Sequence, residues 1–410
     1  MNKLRGADKA GLVIILIVSL IAGILLCAGV NPNVAETMHS LSKTATDIGG
    51  LTGDTHTIFE TLQYNRSIHV LAMLLLGFGF LMVCVRKHGF SSITATLLVT
   101  SVCITVYLII KSFQGEEPII SVEQFLWAEF CAASVLIAIG APLGRLKMGQ
   151  YVLMALIFSI VYYINEWLLV DSGHFAGFQD TGGSVVIHAF GAYFGLGVVA
   201  FTAKSFAGHE STGSSMSNQF SLLGSLVLWV FWPSFTSAIV SPDRVTLTAI
   251  NTVLALAGAT VATYVVSKLV GNGKLDVEHI ANAALAGGVS IGSTCDIASP
   301  GMSLIIGLLA GILSTIGYKY IAPKVCAFIK GTDTCGVHNL HGMPGLLGGL
   351  SAIVITGNWQ IQLLCMVINV AIAFGGGLLT GAIVRLMGRV DKPYDDEESF
   401  LMDEILPDEK

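Results

Sequence analysis

Apolar positions along this chain come in long blocks, with no strict two-residue alternation. The first block is residues 11–30 (GLVIILIVSLIAGILLCAGV). Others lie near 67–85, 90–110, 122–141, 149–169, 181–203, 218–240, 245–267, 279–295, 302–318, 340–356 and 362–384. The last two merge in hydropathy and are divided at Gly357-Asn358. A helix needs about 20 apolar residues to cross a bilayer. The twelve blocks therefore predict an all-α polytopic membrane protein with about twelve transmembrane helices.

Composition agrees with that pattern. Of 410 residues, 53% are apolar and only 12% charged, about half the charged share of a soluble protein. The net charge of −6 sits in the connections. No basic stretch with interleaved aromatics occurs, which argues against a nucleic-acid partner. Eight cysteines (Cys27, Cys84, Cys103, Cys131, Cys295, Cys326, Cys335 and Cys365) form no CxxC pair and mostly lie in apolar runs. They read as small core residues, without a disulfide framework or a zinc site. No ATP-binding P-loop is present, and no enzyme activity and no cofactor are expected. Lys3, Arg5 and Lys9 precede the first block as they would in a signal peptide. That block exceeds the roughly 7–15 residues of a signal core and no A-x-A site follows, so a retained helix is expected.

Charge tests the helix count independently. With the N-terminus placed in the cytoplasm and twelve crossings, all of the 21 Lys and Arg fall inside except Lys43, Arg66, Lys111 and Arg244. A miscount by one helix would scramble this positive-inside bias. Both termini are thus expected to be cytoplasmic, in the cell membrane. A polar, acidic loop over 31–65 would lie outside. The tail from 391 to 410 is acidic and would lie inside, where a solvated segment is the plain reading.

Two segments repeat. Residues 180–188 (DTGGSVVIH) and 333–341 (DTCGVHNLH) both fit D-T-x-G-x4-H, and each runs on into a Gly-rich helix. In the twelve-helix topology the two copies enter the membrane from opposite faces. The chain therefore divides into two inverted five-helix repeats, about 66–203 and 218–356, within a single membrane domain over 1–390. Such repeats place a substrate path at their interface near the midplane. Each histidine lies eight residues beyond its aspartate, about 12 Å deeper along a helix. His188 and His341 should meet near the centre. An ionisable group there is expensive, which favours a pore role over a satisfied core histidine.

Asp180 and Asp333 sit at helix starts, where capping free N–H groups is the plain expectation. Asp180 would also shape the field of an outer vestibule. Glu166, at the outer end of its helix, would add to that field or be an ordinary interfacial charge. Phe130 and Phe235 are expected at one common depth, outside the histidines. His338 and His341 give an H-x-x-H spacing, but the Glu and third ligand of a catalytic zinc set are missing, so no metal is expected.

The stretches GGSVVIHAFGAYFGLG, LWVFWPSFTSAI, GKLDVEHIANAALAGGV and DTCGVHNLHGMPGLLGG resemble the Rh glycoprotein branch of the ammonium transporter family. The likeness spans about residues 66–390. The short tail looks like that of a bacterial member. The resemblance implies a homotrimer with one pore per subunit. It maps the family's twin pore histidines onto His188 and His341, its outer phenylalanine gate onto Phe130 and Phe235, and its acidic residue at the first His helix onto Asp180. A channel for ammonium, conducted as ammonia, is the function it implies. Methylammonium is a possible further cargo; a carbon dioxide channel, or an ammonium sensor signalling through the acidic tail, are the alternative functions.

Overall fold

The computed structural model describes residues 52–84, 88–113, 121–202, 215–390, 395–398 and 400. The helix expected over 11–30 lies outside the described residues. Eleven helical segments follow. α1 (residues 52–84) is continuous through one π turn, Met73–Phe78. Next come α2 (Gly89–Ser112), α3 (Val122–Gly140), α4 (Met148–Asp171), α5 (Ser184–Thr202), α6 (Ser215–Thr236) and α7 (Val245–Val270). α8 (residues 277–294) is broken, and α9 (Pro300–Ile329), α10 (residues 338–356) and α11 (Trp359–Arg385) complete the bundle. Among the described residues, nine helices are long and apolar enough to cross a membrane. The two expected spans outside that set are α8 and α10. α8 changes between α and 3-10 turns around the Ala/Gly-rich run 281–288, and α10 opens with the polar stretch His338–Gly342.

α1 begins at Thr52, well inside the connection expected over 31–65. Hydropathy measures transfer into lipid and says nothing of helicity, so a polar helical overhang such as Thr52–Arg66 escapes it. The tail also departs from a purely solvated segment. Asp396 is buried and accepts hydrogen bonds from the backbone N–H of Phe90 and of Ser91 and from the Ser91 hydroxyl, at the start of α2.

The packing repeats itself. In the first five helices α1 meets α3, α2 meets both α3 and α4, and α3 meets α5. In the next five α6 meets α8, α7 meets both α8 and α9, and α8 meets α10. The halves join where α5 packs on α8 and α10 and where α1 packs on α6, while α11 lies along α5. Apolar side chains such as Leu226, Val230, Val354 and Val367 are well exposed on the outside, as a lipid-facing surface requires.

Close approach needs small residues. A Cβ on Gly307 of α9 would run into the Ala255 carbonyl of α7. That neighbour is backbone and cannot rotate away. Gly307→Ala should therefore lower the thermal midpoint of the detergent-purified chain, at the roughly 1–3 kcal/mol typical of overpacking. Gly375→Ala in α11, with nothing within 4 Å, should hold or raise it by helix propensity. Equal midpoints for the two variants would contradict the packing described.

Candidate functional site: two facing histidines in an aromatic passage

The repeated motif builds the same local structure twice. Gly183 (φ 74°) and Gly336 (φ 66°) turn the chain through the left-handed region into α5 and α10, where a side chain is disfavoured. Asp180 then accepts from the N–H of Val185 and Val186, and Asp333 from the N–H of Val337 and His338. Both helices open as π turns, Ser184–Ala189 and His338–Gly342. π turns are rare and recur at functional sites. Here each carries the motif histidine.

Those histidines meet. Nδ1 of His188 lies 3.2 Å from Nδ1 of His341, with ring centroids 5.3 Å apart and planes 12° from parallel. One ring donates and the other accepts. Both are buried, at 1% and 3% exposure. Nε2 of His188 is buried without a protein partner.

A line of rings extends from the pair. Phe235 is 6.0 Å from His188, and Phe130 is 4.8 Å from Phe235 at 65°. Beyond Phe130 opens a cavity of about 310 Å³, lined among others by Trp127, Tyr162, Asp180, Thr181 and Ile187. On the other side Phe78 stacks on His341 at 6.2 Å. A cavity of about 20 Å³ there touches Phe78, His341, Cys84 and Cys335. With the sides named by the orientation expected from the charge bias, the order is outer cavity, Phe130, Phe235, His188, His341, inner cavity. The two copies of the motif thus approach from opposite ends.

The acidic residues divide by place. Asp180 lines the outer cavity while capping α5, with a further hydrogen bond from the Ser293 hydroxyl. Asp333 caps α10 at the inner end. Glu166 is buried behind the cavity wall, where it accepts from the Tyr107 hydroxyl and lies beside Tyr162. Glu129, next to Phe130, is also buried and accepts from the Ser67 hydroxyl at 2.8 Å. His338 stacks edge-on with Tyr193.

Several neighbours escape sequence reasoning. Trp232 stacks 5.6 Å from His188 and is fully buried. Phe78 closes the far side of His341. The Ser134 hydroxyl donates to the Ile187 carbonyl, fixing α3 to the His188 turn. The run LWVFWP offers two tryptophans on one helix, and nothing in its spacing says which of them faces the histidine. MLLLGFGF marks neither of its phenylalanines.

Burial pushes the Asp180 carboxyl up to about 7, against hydrogen bonds from Ser293 and the N–H groups of residues 184–186 that favour ionisation. Asp333 is pushed up to about 6 for the same reason. An exposed aspartate titrates near 3.9. A carboxyl raised on folding keeps a proton that the unfolded chain has released, so its stability contribution is full below about pH 4 and lost as pH rises through about 7. The thermal midpoint should therefore fall over that window. Asp180→Asn, which still accepts at Oδ1 and donates to Ser293, should reduce the slope. Asp180→Ala should lower the midpoint at every pH, by the roughly 0.5–2 kcal/mol of a lost cap. A slope unchanged in Asp180→Asn would contradict this.

The profile of the Ammonium Transporter Family matches residues 38–399. The Rh type B ammonium transporter of Rattus norvegicus is 38% identical over 369 residues, 81% of this chain and 80% of the relative. That of Homo sapiens is 42% identical over 305 residues, 72% of this chain and 66% of the relative. Among solved structures, Rh50 of Nitrosomonas europaea superposes with a TM-score of 0.81 at 47% identity, covering 85% of this chain and 94% of that one. A sensor Amt protein shares the fold at a TM-score of 0.71 and 20% identity, over 81% of this chain and 94% of that one. The expectation of a bacterial member is not borne out, because animal Rh proteins match over most of the chain. This is a multi-pass membrane protein of a transporter and channel family, not of an enzyme family: the chain belongs to the ammonium transporter family, in its Rh branch.

Proposed function

We propose that the chain conducts ammonium across the membrane as neutral ammonia, past His188 and His341. The observation that carries this reading is the 3.2 Å contact between two buried imidazoles at the centre of a line of aromatic rings between two cavities. Moving a bare cation into such surroundings costs many kcal/mol. Ammonia costs far less, and each neutral ring offers it one donor and one acceptor.

Ammonium gathers in the outer cavity, over the faces of Trp127 and Phe130, where ring quadrupoles attract cations. Asp180 at its wall, with its carboxyl near 7, lends the cavity partial negative charge, and Glu166 lies further back behind Tyr162. The proton is released to water of the outer cavity at Phe130 and Phe235, which close the cavity floor as a gate. Ammonia then passes His188 and His341 to the inner cavity. Potassium and sodium have no proton to lose and stop at the gate. Asp333 serves as a helix cap. The Rh relationship supports a homotrimer with a pore in each subunit, seated in the cell membrane with both termini cytoplasmic. Polar nitrogen atoms along the path favour ammonia over carbon dioxide as cargo.

The test is stopped-flow pH in proteoliposomes given an inward ammonium gradient. Wild type should alkalinise the lumen at least about tenfold faster than empty liposomes, equivalent to roughly 1.4 kcal/mol in barrier. His188→Ala/His341→Ala should lose most of that rate. Wild type indistinguishable from empty liposomes sinks conduction. Carbon dioxide uptake by the same vesicles without an ammonium response would support the gas-channel reading instead.

A further inference from the structure

The inner cavity carries chemistry that the passage of ammonia does not use. Three sulfur-bearing residues line it, Cys84, Cys335 and Met82, together with His341 and Phe78. Cys84 ends α1, and Cys335 lies in the repeated motif just before α10. These two distant segments bring their side chains to the wall of one small cavity. Both residues are partly exposed, unlike the fully buried Cys103 and Cys131. The pair is held in place from several sides. The Tyr318 hydroxyl donates to the Cys335 carbonyl at 3.2 Å, and the Cys335 N–H donates to the Gly140 carbonyl at 3.1 Å. Gly140 itself leaves the room, since a Cβ there would meet Val337 at 2.9 Å and the Cys335 Cβ at 3.4 Å.

We propose that Cys84 and Cys335, with Met82 beside them, form a binding site for one soft, two-coordinate metal ion of the copper(I) or silver(I) class at the inner mouth of the passage. Thiolate and thioether sulfur select such ions over magnesium, calcium or manganese, which take oxygen. A tetrahedral zinc site needs three or four ligands. No group of three His, Cys, Asp or Glu side chains suited to a metal exists among the described residues. Two thiols suffice for a linear or bent soft ion, and Met82 lines the same cavity. The cavity of about 20 Å³ holds one body the size of a water molecule. On binding, each thiol forms a bond to the metal and releases its proton to solvent, so one silver(I) ion and two thiols give a dithiolate complex and two protons. The bound ion fills the space next to His341 through which ammonia must leave. Binding stands apart from the conduction reading; only the consequence for flux rests on it.

The experiment uses the full chain and silver(I). Native mass spectrometry counts silver bound per chain in wild type, in Cys84→Ser/Cys335→Ser and in Cys103→Ser/Cys131→Ser, each first shown to elute as a folded species in detergent. The expected result is one silver fewer per chain in Cys84→Ser/Cys335→Ser and an unchanged count in Cys103→Ser/Cys131→Ser. The single variant Cys84→Ser should bind more weakly than wild type. Equal counts in wild type and Cys84→Ser/Cys335→Ser overturn the site. In proteoliposomes carrying silver inside, each protein's ammonium response is scaled to its own metal-free rate. Silver should cut the wild-type rate severalfold, reversibly by excess thiol, and spare Cys84→Ser/Cys335→Ser. Equal inhibition of both overturns the plug. A wild type that binds silver but never conducts would count against the proposed function and leave the site standing.

Discussion

Two imidazoles facing each other in the middle of a membrane protein are the constraint around which the rest is arranged. Each ring is costly to bury, and each satisfies part of its hydrogen bonding through the other, Nδ1 to Nδ1 at 3.2 Å. Neither ring can be held there by its own helix alone. A shift of one ångström would break the contact and leave two unpaired polar groups in an apolar interior, at roughly 1–3 kcal/mol each. Precision at this point explains much of the surrounding architecture.

That precision comes from duplicated local devices. A left-handed glycine, an aspartate cap and a π turn deliver His188 from one end, and the same sequence of devices delivers His341 from the other. The helices between them lock by backbone contact. A Cβ on Gly345 of α10 would run into the Ser184 carbonyl of α5, and one on Gly191 of α5 into the Ser134 carbonyl of α3. Side-chain bonds cross the same seams: Ser290 of α8 donates to the Pro344 carbonyl, and Asn369 of α11 to the Val185 carbonyl. Backbone-to-backbone packing has little give, so the frame around the passage is stiff. A stiff passage suits a small neutral cargo that is selected by what it can shed at the gate, and a large rocking motion is not needed.

Much of this was legible in the sequence because the devices are local and repeated. D-T-x-G-x4-H announces both histidines and both caps, and the inverted topology places them face to face. Phe130 and Phe235 follow from depth along their helices, and the resemblance to Rh proteins gives them a common purpose. What stayed hidden depends on azimuth and on long-range contact. Hydropathy gives Trp232 a depth but not the direction that puts it against His188. It cannot tell that Glu166 turns inward to Tyr107, nor that α8 breaks over 281–288 while still crossing the bundle. Cys84 and Cys335 are about 250 positions apart and become neighbours only through the packing of α1 beside the start of α10. Asp396 sits in a tail whose composition reads as solvated, and one well-placed carboxylate at the start of α2 overrides that average.

The claim at the centre is that the species crossing between the phenylalanine pair and the inner cavity has left its proton behind. Potassium, close to ammonium in size and charge, is the most direct probe, because it cannot do so. The measurement is the ammonium-driven rate in proteoliposomes at rising potassium on both sides, alongside potassium flux through the same vesicles. The account predicts an ammonium response that persists in large potassium excess and a potassium flux no greater than that of empty liposomes. Potassium passing through the protein, lost in His188→Ala/His341→Ala, would contradict it.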